Sequence, residues 1–187
     1  MKFFNIHGYH GGSHNHVYEI LTSLGHDVHS PQIDYDSKSP KAMFAQLKYE
    51  LAESQADIIV GNSLGGFHAS LLAVKTIKPV ILVNPCLMPF TLFSKFGIKN
   101  DSALREYVTM FSQITGLEAW QRSAIVALDD ELIDNHDVTR ALLYSKRYRE
   151  VEGAKHDPRT LPLREFFEEI LVGLPLCEPD VIPQVFI

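Results

Sequence analysis

The chain has 187 residues, of which 45% are hydrophobic and 21% are charged, and its formal net charge is −6 at pH 7. This length and hydrophobic content predict one domain over residues 1–187 and exclude a disordered chain, which would combine low hydrophobicity with high net charge. The mildly acidic balance, without a run of Lys or Arg, argues against a nucleic-acid partner, and no apolar stretch reaches the length of a membrane span.

The N-terminus and the cysteines indicate the cellular compartment. The apolar run at residues 3–6 is too short for the hydrophobic region of a signal peptide. The two cysteines, Cys86 and Cys177, cannot form the disulfide framework of a small secreted domain. We therefore expect a reduced, cytoplasmic protein.

Short apolar runs alternate along the chain with segments of helical periodicity. Strands are predicted at residues 3–6, 27–32, 57–61, 79–85, 123–128 and 148–151. Helices are predicted at residues 17–24, at 40–54, from 64 onward, at 137–146 and at 163–171. This alternation predicts an α/β fold with a mainly parallel sheet of about six strands and helices on both faces.

Residues 86–122 interrupt the alternation, because they separate two strands by more chain than an ordinary crossover requires. The segment carries six aromatic side chains, at Phe90, Phe93, Phe96, Tyr107, Phe111 and Trp120. It could be a crossover helix with an additional turn of core. We favour a small helical cap, inserted in the domain, whose apolar side chains form the wall of a substrate pocket.

The motif that carries chemistry is Gly61-Asn62-Ser63-Leu64-Gly65. This G-x-S-x-G pattern follows a predicted buried strand and precedes a predicted helix, which is the context required for a nucleophile elbow. The serine has to occupy a tight, strained turn, and the flanking glycines keep the neighbouring backbone free of colliding side chains. We predict that Ser63 is a nucleophile and that Gly61 and Gly65 form the elbow.

A serine hydroxyl is a poor nucleophile unless a base takes its proton. Three histidines follow Ser63 in the chain. His68 lies on the elbow helix and is not expected to reach back over the strand end, and His136 falls in the turn before a helix. His156 follows the last predicted strand, at the sheet edge where ligands bind in open α/β folds. We predict His156 as the base, the alternative being a solvated loop histidine.

The acid that orients such a histidine should lie at the same sheet edge. Residues 129–134 follow the penultimate strand and include four carboxylates. We predict Asp130, because it should have just left the strand, and Asp129 is the close alternative. Glu131 and Asp134 are expected to be solvated charges.

Two backbone N–H groups are candidates for stabilising an oxyanion. Leu64 should open the elbow helix, where N–H groups lack an intrahelical partner. The first strand ends in His7-Gly8-Tyr9, and a His-Gly turn at this place commonly supplies the second donor. We assign that donor to the N–H of Tyr9.

Taken together, these segments resemble the α/β-hydrolase superfamily and, more narrowly, the small bacterial YqiA/YcfP-type esterases. The resemblance rests on residues 6–9, 60–66, 84–85 and 130–134 and on the late His156, and it extends over nearly the whole chain. It implies a compact α/β-hydrolase fold and hydrolysis of esters or thioesters through Ser63, Asp130 and His156. It also implies that no cofactor is used and that the protein is cytoplasmic.

The sequence thus predicts a serine hydrolase that cleaves carboxylic esters or thioesters of small acyl groups through an acyl-enzyme. The partner is a small-molecule substrate, with neither nucleic acid nor membrane, and the oligomeric state cannot be read from the sequence. One alternative is a metal site, because His7, His10, His14 and His16 crowd the N-terminus. The ligand spacing of a helical His-Glu-x-x-His zinc motif is absent, so we expect no metal.

A second alternative is a binding module whose fold is that of a hydrolase and whose catalytic residues are vestigial, since fold does not determine function. The tail, residues 175–187, is apolar for a terminus and could pack on the body or on a partner. The presence of a nucleophile, an acid and a base argues against this alternative, and the reactivity of Ser63 discriminates between the two.

Overall fold

A computed structural model describes residues 1–95, 99–133 and 136–175 of the chain. Within these residues a single sheet has six strands, all parallel, in the order β2-β1-β3-β4-β5-β6. The strands are β1 (Lys2–Ile6), β2 (Asp27–His29), β3 (Ile58–Asn62), β4 (Val80–Val83), β5 (Arg122–Ala127) and β6 (Tyr148–Val151). The prediction of a mainly parallel sheet of about six strands is confirmed.

Helices cover both faces of this sheet, as the strand–helix alternation predicts. The helices are α1 (His16–Ser23), α2 (Pro40–Ser54), α3 (Leu64–Thr76), α4 (Asp101–Phe111), α5 (Asp137–Leu143) and α6 (Leu163–Val172). Side chains of α2, α3 and α4 share one core with Phe4 and Ile59, whereas α1 and α6 share the other with Phe3 and Ile58. Adjacent strand residues point to opposite faces of the sheet, and each face packs against one of these two cores. Both faces of the inner strands are therefore buried.

The strand order reverses at β1, which lies between β2 and β3. Ile6, the last residue of β1, pairs with Gly61, near the end of β3. The carboxyl ends of these strands therefore lie side by side at the switch point, where open α/β sheets bind their ligands. The loops that carry the candidate residues begin at this edge.

Three elements are shorter than the sequence predicts. β4 spans Val80–Val83 rather than residues 79–85, because Asn84, with φ 42°, leaves the extended backbone of a strand. β2 ends at His29 rather than at residue 32, because Pro31 has no N–H to continue a ladder. α5 ends at Leu143 rather than at residue 146. The guanidinium of Arg122 donates to the carbonyl oxygens of Leu142 and Tyr144 and thereby closes the end of this helix.

The described part of segment 86–122 contains α4 and two short 3₁₀ turns, Pro89–Thr91 and Ile114–Gly116. Helix α4 buries Ala103, Tyr107 and Met110 in the core that also holds α2 and α3. The segment therefore contributes to the core as well as to the surroundings of the site described below. Phe96, Asp134, Cys177 and the apolar tail from residue 176 onward lie outside the described residues. No described helix is both long enough and apolar enough to span a bilayer.

Candidate active site

Ser63 occupies the sharp turn between β3 and α3. Its backbone angles are φ 52° and ψ −123°, a conformation that costs a non-glycine residue about 1–3 kcal/mol. The turn is held by backbone hydrogen bonds: the N–H of Ser63 donates to the Val83 carbonyl, and the Ser63 carbonyl accepts from the N–H groups of Gly66 and Cys86. These hydrogen bonds hold Ser63 in its strained backbone conformation.

The glycines around the turn permit an unusually close approach of backbone segments. A Cβ on Gly65 would lie 2.2 Å from the carbonyl oxygen of Ile6, and a Cβ on Gly61 would lie 2.5 Å from the Cβ of Ala69. A Cβ on Gly8 would lie 2.8 Å from the Cβ of Ser63. The loop after β1 therefore passes directly against the serine, and only glycine fits at these contacts.

The side chain of His7 holds the loop after β1 in place. Its buried ring donates from Nδ1 to the Gly8 carbonyl at 2.7 Å and accepts at Nε2 from the Ile33 N–H at 2.9 Å. The Tyr35 hydroxyl donates to the His7 carbonyl at 2.5 Å. Burial lowers the pKa of His7, against a smaller raising effect of the bond to Gly8, so the neutral ring with a proton on Nδ1 is favoured.

Tyr9 and Leu64, the predicted oxyanion donors, both line the cavity into which Ser63 opens. Leu64 is the first residue of α3, so its N–H has no intrahelical acceptor. The Tyr9 hydroxyl donates to Asp36 Oδ1 at 2.6 Å, and His10 Nε2 lies 2.9 Å from Asp36 Oδ2. The bond to Asp36 is the main reason that the pKa of Tyr9 is raised to about 12.

The structure brings Ser63, His156 and Asp130 into one hydrogen-bonded chain. His156 Nε2 lies 2.9 Å from Ser63 Oγ, and His156 Nδ1 lies 2.8 Å from Asp130 Oδ2. The Asp130 side chain is 0% exposed, and that of His156 is 14% exposed. The histidine follows β6 and the aspartate follows β5, so both stand at the carboxyl edge of the sheet with the serine.

The neighbouring carboxylates occupy different positions. Asp129 Oδ2 accepts from the N–H of Gly153 at 3.1 Å and so ties the loop after β5 to the loop after β6. Glu131, expected to be only a solvated charge, is exposed, but its Oε2 also accepts from the backbone N–H of His156 at 3.1 Å. Of the two aspartates that the sequence leaves open, it is Asp130 that contacts the His156 ring.

Asp130 is held in its ionised form. Burial by itself raises the pKa of this carboxyl, but hydrogen bonds from His136, from His156 and from the Ile133 N–H outweigh burial and lower it well below its usual range. A carboxylate that stays charged in a buried place can orient the Nδ1–H of His156 and stabilise a protonated imidazole ring.

Two residues that support the site were not among the predicted site residues. Asn84, with φ 42°, donates from Nδ2 to the carbonyl oxygens of Lys155 and His156 and accepts at Oδ1 from the Ala127 N–H. Its Asn-Pro context after a buried strand is a signal that could have found it. His136, whose Nε2 lies 3.1 Å from Asp130 Oδ2, carries no such signal.

His68, the histidine nearest to the serine in sequence, lies in a different environment. It is fully buried on α3, with Nε2 at 3.4 Å from the Tyr107 hydroxyl. Burial lowers the pKa of His68 to about 3, so this ring is neutral at physiological pH. Its ring packs against the aromatic rings of Tyr35, Phe67 and Tyr107.

A cavity of about 270 Å³ opens beside Ser63 and His156. Its lining is mostly apolar and comes from the start of α2, the segment 86–122, the turn at Ser63 and the loops after β1, β2, β5 and β6. The main apolar lining residues are Pro40, Met43, Leu92, Phe93, Tyr107 and Ile133. Such a cavity can hold a small apolar group next to the serine hydroxyl.

The N-terminal histidines do not converge on one point. His10 pairs with Asp36, and His16 Nδ1 lies 3.3 Å from Glu19 Oε2. In the part of the chain that the structure describes, there is no group of three or more His, Cys, Asp or Glu side chains suited to a metal ion.

Comparison with known proteins gives the same fold. A solved structure from work on the metagenome-derived lipolytic enzymes LipS and LipT shares 15% identity, with 91% of each chain covered and a TM-score of 0.64. MGS-MChE2, an α/β-hydrolase enzyme from a lagoon-sediment metagenome, shares 15% identity over 92% of this chain and 89% of its own, with a TM-score of 0.63. An α/β serine hydrolase homologue from Coxiella burnetii shares 17% identity over 91% and 85%, with a TM-score of 0.60.

These neighbours confirm the α/β-hydrolase fold predicted from the motifs. At this level of identity they establish the fold and not the reaction. The profile of an uncharacterised protein family, UPF0227, matches residues 2–155, which is most of the chain. The chain therefore belongs to the uncharacterised protein family UPF0227 and has the fold of the α/β hydrolases.

Proposed function

We propose that the protein is a serine hydrolase that cleaves carboxylic esters or thioesters of small acyl groups through an acyl-enzyme. The observation that carries the proposal is the continuous hydrogen-bonded chain from Ser63 Oγ through His156 to the buried, ionised Asp130. The Ser63 hydroxyl, at one end of this hydrogen-bonded chain, lines an apolar cavity. An activated hydroxyl would therefore lie next to a space that can hold an acyl group.

In the first half of the proposed reaction, Ser63 Oγ attacks the carbonyl carbon while His156 Nε2 takes the hydroxyl proton. The carbonyl π electrons move to oxygen and give a tetrahedral oxyanion, for which the N–H groups of Tyr9 and Leu64 are the proposed donors. The oxyanion then collapses, the bond to the leaving alcohol or thiol breaks, and His156 returns its proton to that leaving group.

The second half repeats these steps with water. His156 removes a proton from a water molecule as its oxygen attacks the acyl-serine carbonyl, and the new tetrahedral intermediate expels Ser63 Oγ, which regains its proton. The product is a carboxylic acid. Every proton is carried by His156 and every charge is balanced by Asp130 or the oxyanion donors, so the reaction as proposed uses no cofactor.

The cavity supports a small acyl group as the substrate. Leu92, Phe93 and Tyr107 of segment 86–122 form one wall of it, and we propose this segment as a cap that shields the acyl-enzyme. The LipS and LipT enzymes are described as lipolytic and as members of lipase and esterase families, which is in keeping with an acyl substrate.

The proposal is tested by labelling with a fluorophosphonate, which phosphonylates an activated serine and releases fluoride. We expect labelling at Ser63, located by mass spectrometry, in the folded protein and none after denaturation. The Ser63→Ala variant is the control and should fold without reacting. A folded wild-type protein that does not react, or that reacts elsewhere, would contradict the proposal and favour the binding-module alternative.

If Ser63 is labelled, the next experiment measures the hydrolysis of candidate substrates. The same preparation should hydrolyse p-nitrophenyl esters and acyl thioesters, and a series of increasing acyl length measures the depth of the cavity. We expect the rate to fall once the acyl chain exceeds the cavity, and Ser63→Ala to lack turnover at every length. Near-wild-type hydrolysis by Ser63→Ala would contradict the assignment of the nucleophile.

A further inference from the structure

A second histidine contacts the carboxylate that orients His156. His136 Nε2 lies 3.1 Å from Asp130 Oδ2, on the same oxygen that receives the closer contact from His156 Nδ1 at 2.8 Å. The exposed fractions of the His136 and Asp130 side chains are 4% and 0%. This contact is therefore inside the protein, where a hydrogen bond to a charged group is strong and its loss is costly.

The remaining bonds to Asp130 show what the contact contributes. Oδ1 accepts from the backbone N–H groups of Leu132 and Ile133, at 2.9 Å and 2.8 Å. Oδ2 faces both imidazole rings, and His156 Nδ1 also lies 3.0 Å from Oδ1. The two oxygens turn together about the Cβ–Cγ bond, so the backbone bonds to Oδ1 and the His136 bond to Oδ2 together fix the plane in which the carboxylate meets His156.

The protonation of the His136 ring follows from its two partners. Asp130 is ionised and can only accept, so His136 Nε2 carries a proton. Nδ1 lies 3.2 Å from the Thr139 hydroxyl, which can donate to it. The backbone of His136 is anchored as well, because its carbonyl accepts from the Arg140 N–H near the start of α5.

We propose that His136 is a positioning residue, which holds Asp130 Oδ2 toward His156 and so fixes the direction in which His156 presents Nε2 to Ser63. This inference rests on the proposed function. His136 does not line the cavity beside Ser63, so its effect should fall on turnover rather than on substrate binding.

The His136 N–H also takes up part of the negative charge of Asp130. Without it, more of that charge is available to stabilise a protonated His156, so the acid limb of the rate profile should move to higher pH. Two other ionisable groups described near Asp130 have pKa values shifted away from neutral pH. Burial, with a smaller effect of Asp130, raises the pKa of Cys86 to about 12. Backbone hydrogen bonds lower the pKa of Glu131.

The test compares two substitutions of similar size. His136→Gln keeps an N–H donor within reach of Asp130, whereas His136→Leu fills the space without one. We expect His136→Leu to lose kcat by about tenfold to a hundredfold, the effect of losing a hydrogen bond to a charged group, with KM little changed. His136→Gln should remain within about threefold of wild type on the same physical ground.

The pH profile separates positioning from packing. The acid limb of kcat should shift upward in His136→Leu and stay in place in His136→Gln. Equal losses in the two variants, or an unchanged rate in His136→Leu, would overturn the inference. If His136→Leu does not fold, Thr139→Val removes the hydroxyl that faces Nδ1 and should lower kcat without changing KM, and no change there would likewise overturn it.

A measurement independent of turnover distinguishes failure of this inference from failure of the proposed function. The proton on His156 Nδ1, bonded to Asp130, should give a low-field resonance in the NMR spectrum of wild type and of His136→Gln. It should be shifted or broadened in His136→Leu. An unchanged resonance in His136→Leu refutes the positioning role, whereas an unlabelled Ser63 in wild type refutes the proposed function.

Discussion

The two halves of the candidate site are built in different ways. On the serine side, backbone segments touch: Gly8 lies against Ser63, and Gly65 lies against the carbonyl of Ile6 with no room for a methyl group. On the acid–base side, Asp130 and His156 sit on loops after β5 and β6 and are held by hydrogen bonds. One half depends on close packing and the other on polar contacts.

The difference predicts which changes each half tolerates. A backbone contact cannot relax around an added methyl group, so changes on the serine side should reduce the stability of the fold. A hydrogen bond can be lost while the chain keeps its path, so changes on the acid–base side should reduce the rate first. The following variants, from the largest expected effect to the smallest, test this division.

The largest expected effect is on the acid–base side, in Asp130→Asn. An amide cannot balance the charge of a protonated His156 and favours the wrong ring tautomer, so kcat should fall on the order of 10³- to 10⁴-fold. Asp129→Asn is the matched control and should stay within about fivefold, because Asp129 bonds to Gly153. Steady-state kinetics and thermal unfolding of both variants measure this, and the reverse order would move the acid by one residue.

On the serine side, Gly65→Ala should destabilise the fold. The new Cβ would meet the backbone oxygens of Ile6 and His7 at 2.2 Å and 2.6 Å, so we expect a loss of about 3 kcal/mol or more in the free energy of unfolding. Gly25→Ala is the control: Gly25 has φ 82° but nothing within 4 Å, and its loss should be about 1–2 kcal/mol. Urea unfolding gives both values, and equal losses would contradict the close-packing argument.

The buried His68 tests whether the packed half also responds to pH. Its pKa is about 3 in the folded protein, because of burial, and about 6.5 in an unfolded chain. As the pH falls below 6.5, the unfolded chain binds a proton that the folded protein does not, so stability decreases by up to about 1.4 kcal/mol per pH unit. In His68→Gln that contribution should be absent, and an unchanged pH dependence of unfolding would show that the ring titrates normally.

The smallest effect should come from Glu131→Gln. The Glu131 carboxylate accepts from the His156 backbone N–H, but the side chain is exposed, and an amide oxygen can accept the same bond. We expect kcat to change by about threefold or less, without a change in unfolding free energy beyond about 0.5 kcal/mol. A loss of kcat approaching that of Asp130→Asn would show that Glu131 is essential on the acid–base side.

Local patterns suffice to predict the fold and the serine side. β3 is an unbroken apolar run, and Gly61, Ser63 and Gly65 follow it within a few residues, so strand, turn and helix can be read together. The predicted β2, β4 and α5 are too long. β2 stops before Pro31, which has no ladder N–H, β4 stops before Asn84 with its φ of 42°, and Arg122 closes α5. The proline is a local feature, whereas the closure of α5 depends on a residue of β5.

The acid–base side was harder to predict because its contacts join distant parts of the chain. The side chains of Ser63 and His156 meet although they are 93 residues apart. The sequence narrows the acid to two neighbours, and the direction in which the loop after β5 turns then distinguishes Asp130 from Asp129. The contact of His136 with Asp130 depends on the direction of that same loop, so no local sequence pattern around His136 predicts it.

The strained backbone of Ser63 has a consequence for how the protein could evolve. An alanine at this position keeps the same unfavourable φ of 52°, whereas a glycine would be free of it. The proposed nucleophile is thus a residue without which the fold would be more stable. If the proposed reaction holds, the chain gives up stability at this turn in exchange for a hydroxyl at the place where the reaction needs it.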